Sequence, residues 1–365
     1  MSLPVTFSAD DTARMARALQ LAERGLYSTD PNPRVGCVIV KEGQIVGEGW
    51  HRLAGGPHAE IEALKAAGDH ARGSTAYISL EPCCHHGKTP PCTSALIEAG
   101  IARVVAAMED PNPRVAGAGL RQLQEAGIMA ECGLLERAAM ALNPGFCHRM
   151  HSGRPLVRSK LAMSLDGRTA MASGESQWIT GPDARRDVHR LRARSSAIVT
   201  GVNTILSDNP ALTARVSDTG HDLVQPVRIV LDSRLRTPAN ARIFDGEAPS
   251  VLLTTAPNQP PAPVHVERLP ATHDGRLQLP KVIDWLGAQG FNEVLIEAGP
   301  TLNGALLNAG LVDEWIIYMA PVILGDGGRG LFHLPELTTM AERFELKLTD
   351  VRQVGKDLRL TFRRN

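Results

Sequence analysis

Hydrophobic and polar residues follow two different periods along the first third of the chain. Between residues 10 and 25, apolar side chains recur at helical spacing behind a pair of aspartates, which predicts an amphipathic helix. Residues 35–40 and 44–49 are typical of two strands, and the Lys-Glu-Gly that joins them predicts a β-hairpin. Further elements are expected at 58–67 (helix), 75–80 (strand), 92–99 (helix) and 103–108 (strand). Such alternation around one sheet is typical of an α/β domain.

The periodicity lapses between residues 147 and 155, where Gly153 and Pro155 indicate a linker. A chain of 365 residues is also longer than one hydrophobic core usually serves. We therefore expect two domains, residues 1–150 and 154–365. In the second domain we expect strands at 156–161, 196–200, 227–231, 250–254, 293–297 and 315–322, and helices at 181–193, 281–289 and 301–308.

Composition and net charge indicate which classes of molecule the protein can bind. Lys plus Arg and Asp plus Glu both number 39, so the net charge is zero, and aromatic residues make up 4% of the chain. Because strand binding needs basic grooves and stacking platforms, we expect a small-molecule substrate and no nucleic acid. The first ten residues lack a secretory signal pattern, and the longest apolar run, 315–324, contains Pro321 and is too short to span a bilayer. We therefore expect a cytoplasmic protein without a membrane span.

Residues suited to a catalytic zinc site occur at a characteristic spacing. His58 and Glu60 open a predicted helix, and a Pro-Cys pair ending in Cys83 follows the next strand, which gives both halves of a zinc-deaminase signature. With Cys92 the chain offers one imidazole and two thiolates, and a catalytic zinc keeps its fourth position open for water. Glu60 would stay off the metal and carry protons from the attacking water to the departing ammonia. We expect one zinc per chain.

The spacing of the cysteines leaves alternatives open. Eight residues separate Cys83 from Cys92, whereas two usually separate the cysteines of this signature. Cys84 is a rival ligand, and His85 and His86 would suit a wholly structural site with four ligands. A structural site, however, gives no reason for a glutamate at position 60. Metal or catalytic roles are favoured over disulfides for clustered cysteines in a reducing compartment.

The motifs around this constellation resemble those of the riboflavin-biosynthesis deaminase-reductase family. They are residues 31–39 (PNPRVGCVI), 58–60 (HAE) and 81–92 (EPCCHHGKTPPC), and the last is the most specific. The resemblance implies a cytidine-deaminase-like three-layer fold that acts on a phosphoribosylaminopyrimidine. It also implies that Asn32, His51, His85 and Lys88 contact the pyrimidine and its phosphoribosyl arm. Taken alone, Asn32 between two prolines is an ordinary turn residue, and Lys88 is an ordinary solvated cation.

Residues 161–170 and 174–180 are similar to the reductase part of the same family, so the resemblance covers nearly the whole chain. It implies a dihydrofolate-reductase-like α/β domain that uses NADPH. The residues implied to bind NADPH are Ala162, Trp178, Thr204, Asp208, Ser233, Gly299, Pro300, Thr301, Leu302, Asn303, Gly304 and Ala305. Those implied to bind the substrate are Ser176, Arg192, Leu212, Arg215 and Glu297. The two arginines suit a phosphate, because guanidinium groups bind its oxygens bidentately, although either would also suit a solvated face.

The sequence pattern of the second half adds two observations. Residues 294–304 predict a buried strand, a glycine turn and a helix start, where free N–H groups make an anion site suited to a pyrophosphate. Lys160 lies in a predicted buried strand and, with Glu297, is our candidate for polarising the sugar carbon that accepts hydride. A salt-bridged structural lysine is the alternative. Residues 325–330 fit the Gly-x-Gly-x-x-Gly expression, but no βαβ unit surrounds them, which argues against a Rossmann site.

These features together predict a bifunctional enzyme. The first domain would hydrolyse the 2-amino group of 2,5-diamino-6-(5-phosphoribosylamino)pyrimidin-4(3H)-one, and the second would reduce the ribosyl group to ribityl with NADPH. One alternative is a nucleic-acid base deaminase with an unrelated appended nucleotide-binding domain. Another is a zinc-stabilised binding or regulatory protein, although binding alone requires neither Glu60 nor Lys160. The resemblance also implies a homodimer.

Overall fold

The computed structural model describes residues 6–85, 90–217, 223–260 and 263–364. Among these residues, contacts define two units: residues up to 153 together with Leu223, and residues from 154 onward apart from Leu223. Among the described residues, no helix combines the length and the apolar character needed to cross a membrane.

The first unit alternates strands and helices, as the sequence predicts for this half. Its strands are β1 (Gly36–Lys41), β2 (Gln44–Trp50), β3 (Thr75–Ile78), β4 (Arg103–Ala106) and β5 (Met129–Cys132). Its helices are α1 (Ala9–Glu23), α2 (Ala59–Ala67), α3 (Cys92–Glu98), α4 (Ala118–Glu125), α5 (Glu136–Leu142) and α6 (Pro144–Ser152), with a 3₁₀ turn at Gly68–Ala71. The strands form one sheet in the order β2-β1-β3-β4-β5, in which β1 runs antiparallel to both neighbours and β3, β4 and β5 are parallel.

Helices cover both faces of this sheet. On one face, α1 and α6 contribute Met15 and Phe146 to an apolar core. On the other face, α2, α3 and α4 contribute Ala63, Leu96 and Leu123 to a second core. Two helical layers around one sheet give the three-layer α/β fold expected from the sequence.

The first helix is present close to its predicted position, but Ser8 caps it rather than an aspartate. Ser8 Oγ accepts the Asp11 N–H at 3.0 Å, and the Asp11 carboxylate accepts the Ser8 N–H at 2.9 Å, which makes a reciprocal capping box. The same carboxylate accepts hydrogen bonds from Tyr77 at 2.7 Å and Arg103 at 2.6 Å. These bonds join α1 to β3 and β4.

The second unit is also an α/β structure. Its strands are β6 (Leu156–Ser164), β7 (Arg168–Ala170), β8 (Ala197–Gly201), β9 (Val227–Leu231), β10 (Ser250–Thr254), β11 (His265–Arg268), β12 (Glu293–Ile296), β13 (Glu314–Ala320), β14 (Arg329–Gly330), β15 (Leu346–Val354) and β16 (Asp357–Arg364). Its helices are α7 (Pro182–Ala193), α8 (Val202–Asp208), α9 (Leu279–Ala288) and α10 (Pro300–Asn308), with 3₁₀ turns at Arg242–Phe244 and Met340–Glu342.

Nine of these strands form one sheet in the order β11-β10-β9-β8-β12-β6-β13-β16-β15, and β7 pairs with β14 separately. The strands from β11 to β13 in this order are parallel, and β16 and β15 add an antiparallel hairpin. Leu286 of α9 and Leu306 of α10 pack on one face, and Leu191 of α7 and Ile205 of α8 on the other. Because parallel strands end at a common edge, that edge is where ligands bind in open α/β sheets.

The prediction of a linker at residues 147–155 is wrong for most of these residues. Residues 147–152 belong to α6, which has Pro144 in its first turn and ends at Gly153, whose φ of 73° makes it a left-handed cap. The buried residues of α6, at positions 145, 146 and 147, are consecutive rather than spaced along one helical face. The apolar period that would reveal the helix in the sequence is therefore missing.

Candidate active sites

The predicted zinc ligands come together in the first unit. His58 is the residue before α2, Cys83 lies in the loop after β3, and Cys92 is the first residue of α3. Their ligand atoms lie within 4.8 Å of one another, with His58 Nδ1 at 3.2 Å from Cys92 Sγ and 3.6 Å from Cys83 Sγ. One imidazole and two cysteines match the donor set of a catalytic zinc site, so these residues fit the metal.

Two glycines in β2 allow α2 to lie close to the sheet. A Cβ at Gly47 would stand 2.3 Å from the Ala63 carbonyl oxygen, and a Cβ at Gly49 would stand 2.3 Å from the Ala59 carbonyl oxygen. Any side chain at these positions would push α2 outward. The two glycines therefore help to set the position of His58 at the start of α2.

The Glu60 carboxyl lies beside these ligands and is 3% exposed. Burial raises the pKa of Glu60, the neighbouring His58 acts in the opposite direction, and Cys83 raises the pKa again. The net result is a pKa above the ordinary value of a glutamate. A raised pKa suits a carboxyl that must both take up and release a proton, as a general acid and base does.

Asn32 and His51, two residues implied to contact the pyrimidine, form a hydrogen-bonded pair beside His58. His51 Nδ1 donates to the Pro57 carbonyl oxygen at 2.9 Å, so Nε2 is the acceptor for the Asn32 amide at 3.0 Å. Burial lowers the pKa of His51, which favours this neutral form. The His51 ring packs edge-on against His58, with 5.4 Å between centroids. His51 thereby orients the Asn32 amide next to a metal ligand.

The alternative zinc ligands, Cys84, His85 and His86, are not part of the group of ligand atoms among the described residues. Cys84 is partly exposed and is not part of the three-residue group, and burial raises the pKa of its thiol above the ordinary value. His85 is exposed. The two remaining candidates of this loop, His86 and Lys88, lie outside the described residues. None of the six cysteines is in a disulfide.

Glu81 has a positioning role that sequence reasoning missed. Glu81 is 3% exposed, and its carboxylate accepts four backbone N–H groups from a segment 29 to 39 residues further along the chain. The donors are Asp110 and Gly117 at Oε2, 3.0 and 2.8 Å, and Gly119 and Leu120 at Oε1, 2.9 and 3.2 Å. Glu81 thus holds this segment against the loop that carries Cys83. An acid directly before the Pro-Cys pair is the signal in the sequence that could have found it.

In the second unit, Lys160, Glu297 and Arg192 come together on one face of the sheet. Lys160 lies on β6, and Glu297 is the residue after β12. These two strands are parallel neighbours, and Ile296 of β12 pairs with Ser159 of β6. Glu297 and Lys160, one position further along each strand, are therefore adjacent. Arg192 of α7 holds Glu297 bidentately, with Nε to Oε1 at 2.5 Å and Nη2 to Oε2 at 2.9 Å. Burial raises the pKa of Glu297, but Arg192 and Lys160 together lower it by more. Burial lowers the pKa of Lys160 against the opposing effect of Glu297.

The other residues implied to bind the substrate are distributed around this cluster. Leu212 is 3% exposed and has a φ of 51°, and its side chain belongs to the core of the second unit. Arg215 is exposed on the same segment, and Arg192 Nη1 donates to the intervening Thr213 carbonyl oxygen at 3.1 Å. Ser176 lies half-buried before α7, and no hydrogen bond joins it to these residues in the described chain.

The residues implied to bind NADPH lie mainly where the parallel strands end. Trp178 differs, since it precedes α7, is 69% exposed, and has the Arg185 guanidinium 4.7 Å above its ring. The others are Ala162 on β6, Thr204 and Asp208 on α8 after β8, Ser233 after β9, and residues 299–305 at the start of α10 after β12.

The helix start predicted as an anion site is present. Gly299 is the residue before α10 and Pro300 is its first residue. Thr301 and Ala305 are exposed, and Leu302 is half-buried. This end of the helix therefore presents free backbone N–H groups to a ligand.

Packing alone explains the presence of Asn303 and Gly304 in this segment. Asn303 is fully buried, and its amide donates to the Ala298 carbonyl at 2.8 Å and accepts from Ser159 Oγ at 2.6 Å. A Cβ at Gly304 would stand 1.9 Å from the His333 carbonyl oxygen. Both residue types are thus required by the contacts of α10 whether or not they touch a cofactor.

Comparison with known proteins assigns both units to one family. The model of the RibD C-terminal domain matches residues 155–360, and that of the cytidine and deoxycytidylate deaminase zinc-binding region matches residues 8–108. RibD of Escherichia coli (strain K12) is 52% identical over 358 residues, which cover 95% of this chain and 98% of the relative. The chain belongs to the RibD family.

Solved structures of RibD proteins share the fold. RibD of Acinetobacter baumannii matches with a TM-score of 0.91 and 45% identity, and covers 98% of this chain and 99% of its own. A deaminase/reductase of Thermotoga maritima matches with a TM-score of 0.87 and 33% identity over the same shares. The chain is therefore a bifunctional deaminase and reductase of riboflavin biosynthesis, with zinc and NADPH as cofactors. A nucleic-acid deaminase with an unrelated second domain is not favoured, because the match covers both units.

We expect the protein to hold one zinc per chain, and to lose it in Cys83→Ser and in Cys92→Ser but not in Cys84→Ser. A thiolate is a much better zinc ligand than a serine hydroxyl, and Cys84 lies outside the group of ligand atoms. Elemental analysis of the dialysed variants measures the effect. Zinc retained in Cys83→Ser, or lost in Cys84→Ser, would contradict the ligand assignment.

Proposed function

We propose that residues 1–150 convert 2,5-diamino-6-(5-phosphoribosylamino)pyrimidin-4(3H)-one to 5-amino-6-(5-phosphoribosylamino)uracil, and that residues 154–365 then reduce the ribosyl group to ribityl. The substrate is inferred from the Thermotoga maritima relative, which is named a diaminohydroxyphosphoribosylaminopyrimidine deaminase/5-amino-6-(5-phosphoribosylamino)uracil reductase. The observation that carries the proposal is the grouping of His58, Cys83 and Cys92 beside the buried Glu60. Water replaces the 2-amino group in the first step, and a hydride and a proton are added in the second.

For the deamination, His58, Cys83 and Cys92 would hold zinc, which when bound lowers the pKa of water and makes it a nucleophile near neutral pH. Glu60 takes a proton from the attacking water and passes it to the ring nitrogen beside C2. It then moves the second proton, from the hydroxyl now on C2, to the 2-amino nitrogen, which leaves as ammonia. The Asn32 amide, whose orientation is fixed by a histidine hydrogen bond, binds the edge of the pyrimidine.

For the reduction, NADPH supplies the hydride when bound, and the start of α10 would hold its pyrophosphate through backbone N–H groups. Lys160 polarises the sugar carbon C1′ that accepts the hydride, and it gives its proton to the ring oxygen O4′ as the C1′–O4′ bond breaks. Glu297 opposes the lowering of the Lys160 pKa by burial, so it favours the protonated amine that this step needs. Arg192 fixes the Glu297 carboxylate in place for that task.

The direct test supplies the purified protein with the diaminopyrimidine ribotide and measures ammonia release and NADPH oxidation separately. We expect ammonia release without NADPH, and NADPH oxidation only after deamination has begun. Deamination of RNA or of single-stranded DNA in place of the ribotide would contradict the proposed substrate.

The two steps are expected to be separable, because each unit contains its own apolar cores and its own set of chemical groups. Fragment 1–150 should hold zinc and release ammonia without NADPH. Fragment 154–365 should oxidise NADPH with the deaminated ribotide and tolerate a chelator, since the described residues group metal ligands only at His58, Cys83 and Cys92. Circular dichroism checks that both fragments fold. Folded fragments that are inert alone and regain activity on mixing would contradict two independent sites.

We further propose that the chain works as a cytoplasmic homodimer without nucleic acid or membrane. Because the net charge is zero, no overall electrostatic field attracts the chain to nucleic acid or to anionic lipid. The dimer follows from the family resemblance. Sedimentation equilibrium should give twice the chain mass, and a single chain mass would contradict the dimer.

A further inference from the structure

Thr200 is a buried residue of the second unit whose hydroxyl has no partner. It lies near the end of β8, is 0% exposed, and its Oγ1 forms no hydrogen bond to any described residue. A buried hydroxyl without a partner costs stability, and such groups are rare in native proteins. Valine has the same shape without this cost, so the packing of β8 alone gives no reason for a threonine here.

The strand register places Thr200 directly beside Glu297. β8 and β12 are parallel neighbours, and Ile198 of β8 pairs with Leu295 of β12. Both of these side chains lie in the core that α7 and α8 cover. Thr200 and Glu297 are two residues further along each strand and therefore lie on the same face. The pairing continues to this position, because the Glu297 N–H donates to the Val199 carbonyl oxygen at 2.9 Å.

Lys160 of β6 flanks Glu297 on the other side, so Thr200, Glu297 and Lys160 form a row across three adjacent strands. Neighbouring strands are about 4.8 Å apart, which brings these side chains within reach of one another. Arg192 holds the Glu297 carboxylate from α7, with one hydrogen bond to each oxygen. A carboxylate has about four acceptor positions, so Glu297 can accept further hydrogen bonds. The hydroxyl of Thr200 can supply one of them.

We propose that Thr200 is a positioning residue of the reduction, whose hydroxyl donates a hydrogen bond to the Glu297 carboxylate once Lys160 has given up its proton. A protonated Lys160 faces Glu297 with a positive charge, and this charge is lost when the proton passes to the ring oxygen of the sugar. A hydroxyl hydrogen can then turn to the carboxylate, which stabilises the state after proton transfer. The inference rests on the proposed function, because it assumes that Lys160 is the proton donor.

The alkaline part of the pH profile reports on Lys160 among the groups around Glu297. The charged and titratable side chains that face Glu297 are Arg192 and His189 of α7, Lys160 of β6 and Tyr318 of β13. Burial lowers the pKa of His189 to about 4 and raises the pKa of Tyr318 above its ordinary value, and an arginine stays protonated throughout. The Thr200 hydroxyl would favour the neutral amine of Lys160. Its removal should therefore raise the pKa of Lys160 and move the alkaline fall of NADPH oxidation to higher pH.

The variants Thr200→Val and Thr200→Ser separate the hydroxyl from the shape of the side chain in the full chain. Valine keeps the shape and removes the hydroxyl, whereas serine keeps the hydroxyl and removes a methyl group. Thr200→Ala completes the set, because alanine and serine differ by the hydroxyl alone. Thr254→Val is the matched control. Thr254 is a buried threonine of β10, two strands from β8 in the sheet, and its hydroxyl accepts the Ala256 N–H at 3.1 Å.

The assay follows NADPH oxidation with the deaminated ribotide over a range of pH, together with thermal melting. We expect Thr200→Val to lower kcat about tenfold or more, the effect of a hydrogen bond to a charged group. KM should change little, because the bond forms only as the proton moves. The alkaline fall should lie at higher pH than in the wild type, and Tm should be unchanged or higher, since a buried hydroxyl without a partner has been removed.

Thr200→Ser should recover most of the lost kcat, and Thr200→Ala should not. Thr254→Val should melt at a lower temperature, because a backbone N–H loses its acceptor, and should still reduce the ribotide at the wild-type rate. Ammonia release should be unchanged in all four variants.

A wild-type kcat in Thr200→Val would overturn the inference. Equal losses in Thr200→Val and Thr200→Ser, with a lower Tm and an unshifted alkaline fall, would also overturn it, because Thr200 would then serve only to pack β8. If valine prevents folding, the comparison of serine with alanine decides in the same way. Failure of the wild type itself to reduce the ribotide would instead contradict the proposed function.

Discussion

Exchange of Glu60 for glutamine is expected to slow ammonia release at least about a hundredfold, the usual loss for a positioned general acid and base. Glutamine has nearly the same shape but cannot take up the proton of the attacking water. The zinc ligands are untouched, so elemental analysis should still find one zinc per chain. NADPH oxidation with the deaminated ribotide should be unchanged.

Glu62→Gln is the matched control for this variant. Glu62 lies two residues further along α2 and is not one of the groups around the metal ligands. It should retain wild-type ammonia release, zinc and thermal stability. Ammonia release near the wild-type rate in Glu60→Gln would remove Glu60 from the mechanism, whereas loss of zinc in that variant would show that Glu60 supports the metal site instead.

The zinc site could be predicted from the sequence because its ligands belong to local structure. His58 and Cys92 stand at helix starts, and Cys83 follows a buried strand, so each position is set by a short segment with a clear apolar pattern. The same reason explains why the strands at 227–231 and 250–254 are present at their predicted bounds. Parallel strands covered on both faces read as continuous apolar runs.

Other elements carry no such pattern. The strand β15 has mostly exposed side chains, so its residues lack the alternation that marks a half-buried strand. In α6, the buried residues are consecutive, and the interval from 109 to 146, where no element was predicted, contains α4, β5 and α5, which are all short. Their places depend on packing against the sheet rather than on local preference.

The reductase site depends even more on contacts between distant residues. Arg192 and Glu297 are 105 positions apart in the chain, and neither has a neighbour in sequence that reveals the pair. The family resemblance named both as substrate residues, but their bidentate contact with each other is a finding of the structure. The contact between the Arg215 N–H and His189 Nδ1 likewise joins residues 26 positions apart.

Exchange of Lys160 for methionine is expected to lower NADPH oxidation at least about a hundredfold, because the reduction would lose both its proton donor and the positive charge at the sugar carbon. Methionine keeps most of the apolar length of the side chain, so packing on β6 should change little. Ammonia release should be unaffected. Lys347→Met, which removes an exposed strand lysine of β15, is the control and should oxidise NADPH at the wild-type rate.

The pH dependence separates a proton donor from a structural cation at position 160. Burial holds the pKa of Lys160 below its ordinary value, and the protonated amine is the active form, so wild-type NADPH oxidation should fall as pH rises through that lowered pKa. Arginine stays protonated over the whole range, so any activity that remains in Lys160→Arg should lack this alkaline fall. A structural lysine predicts another outcome: Lys160→Met would melt at a lower temperature, yet its folded fraction would reduce the ribotide normally. That result would remove Lys160 from the chemistry.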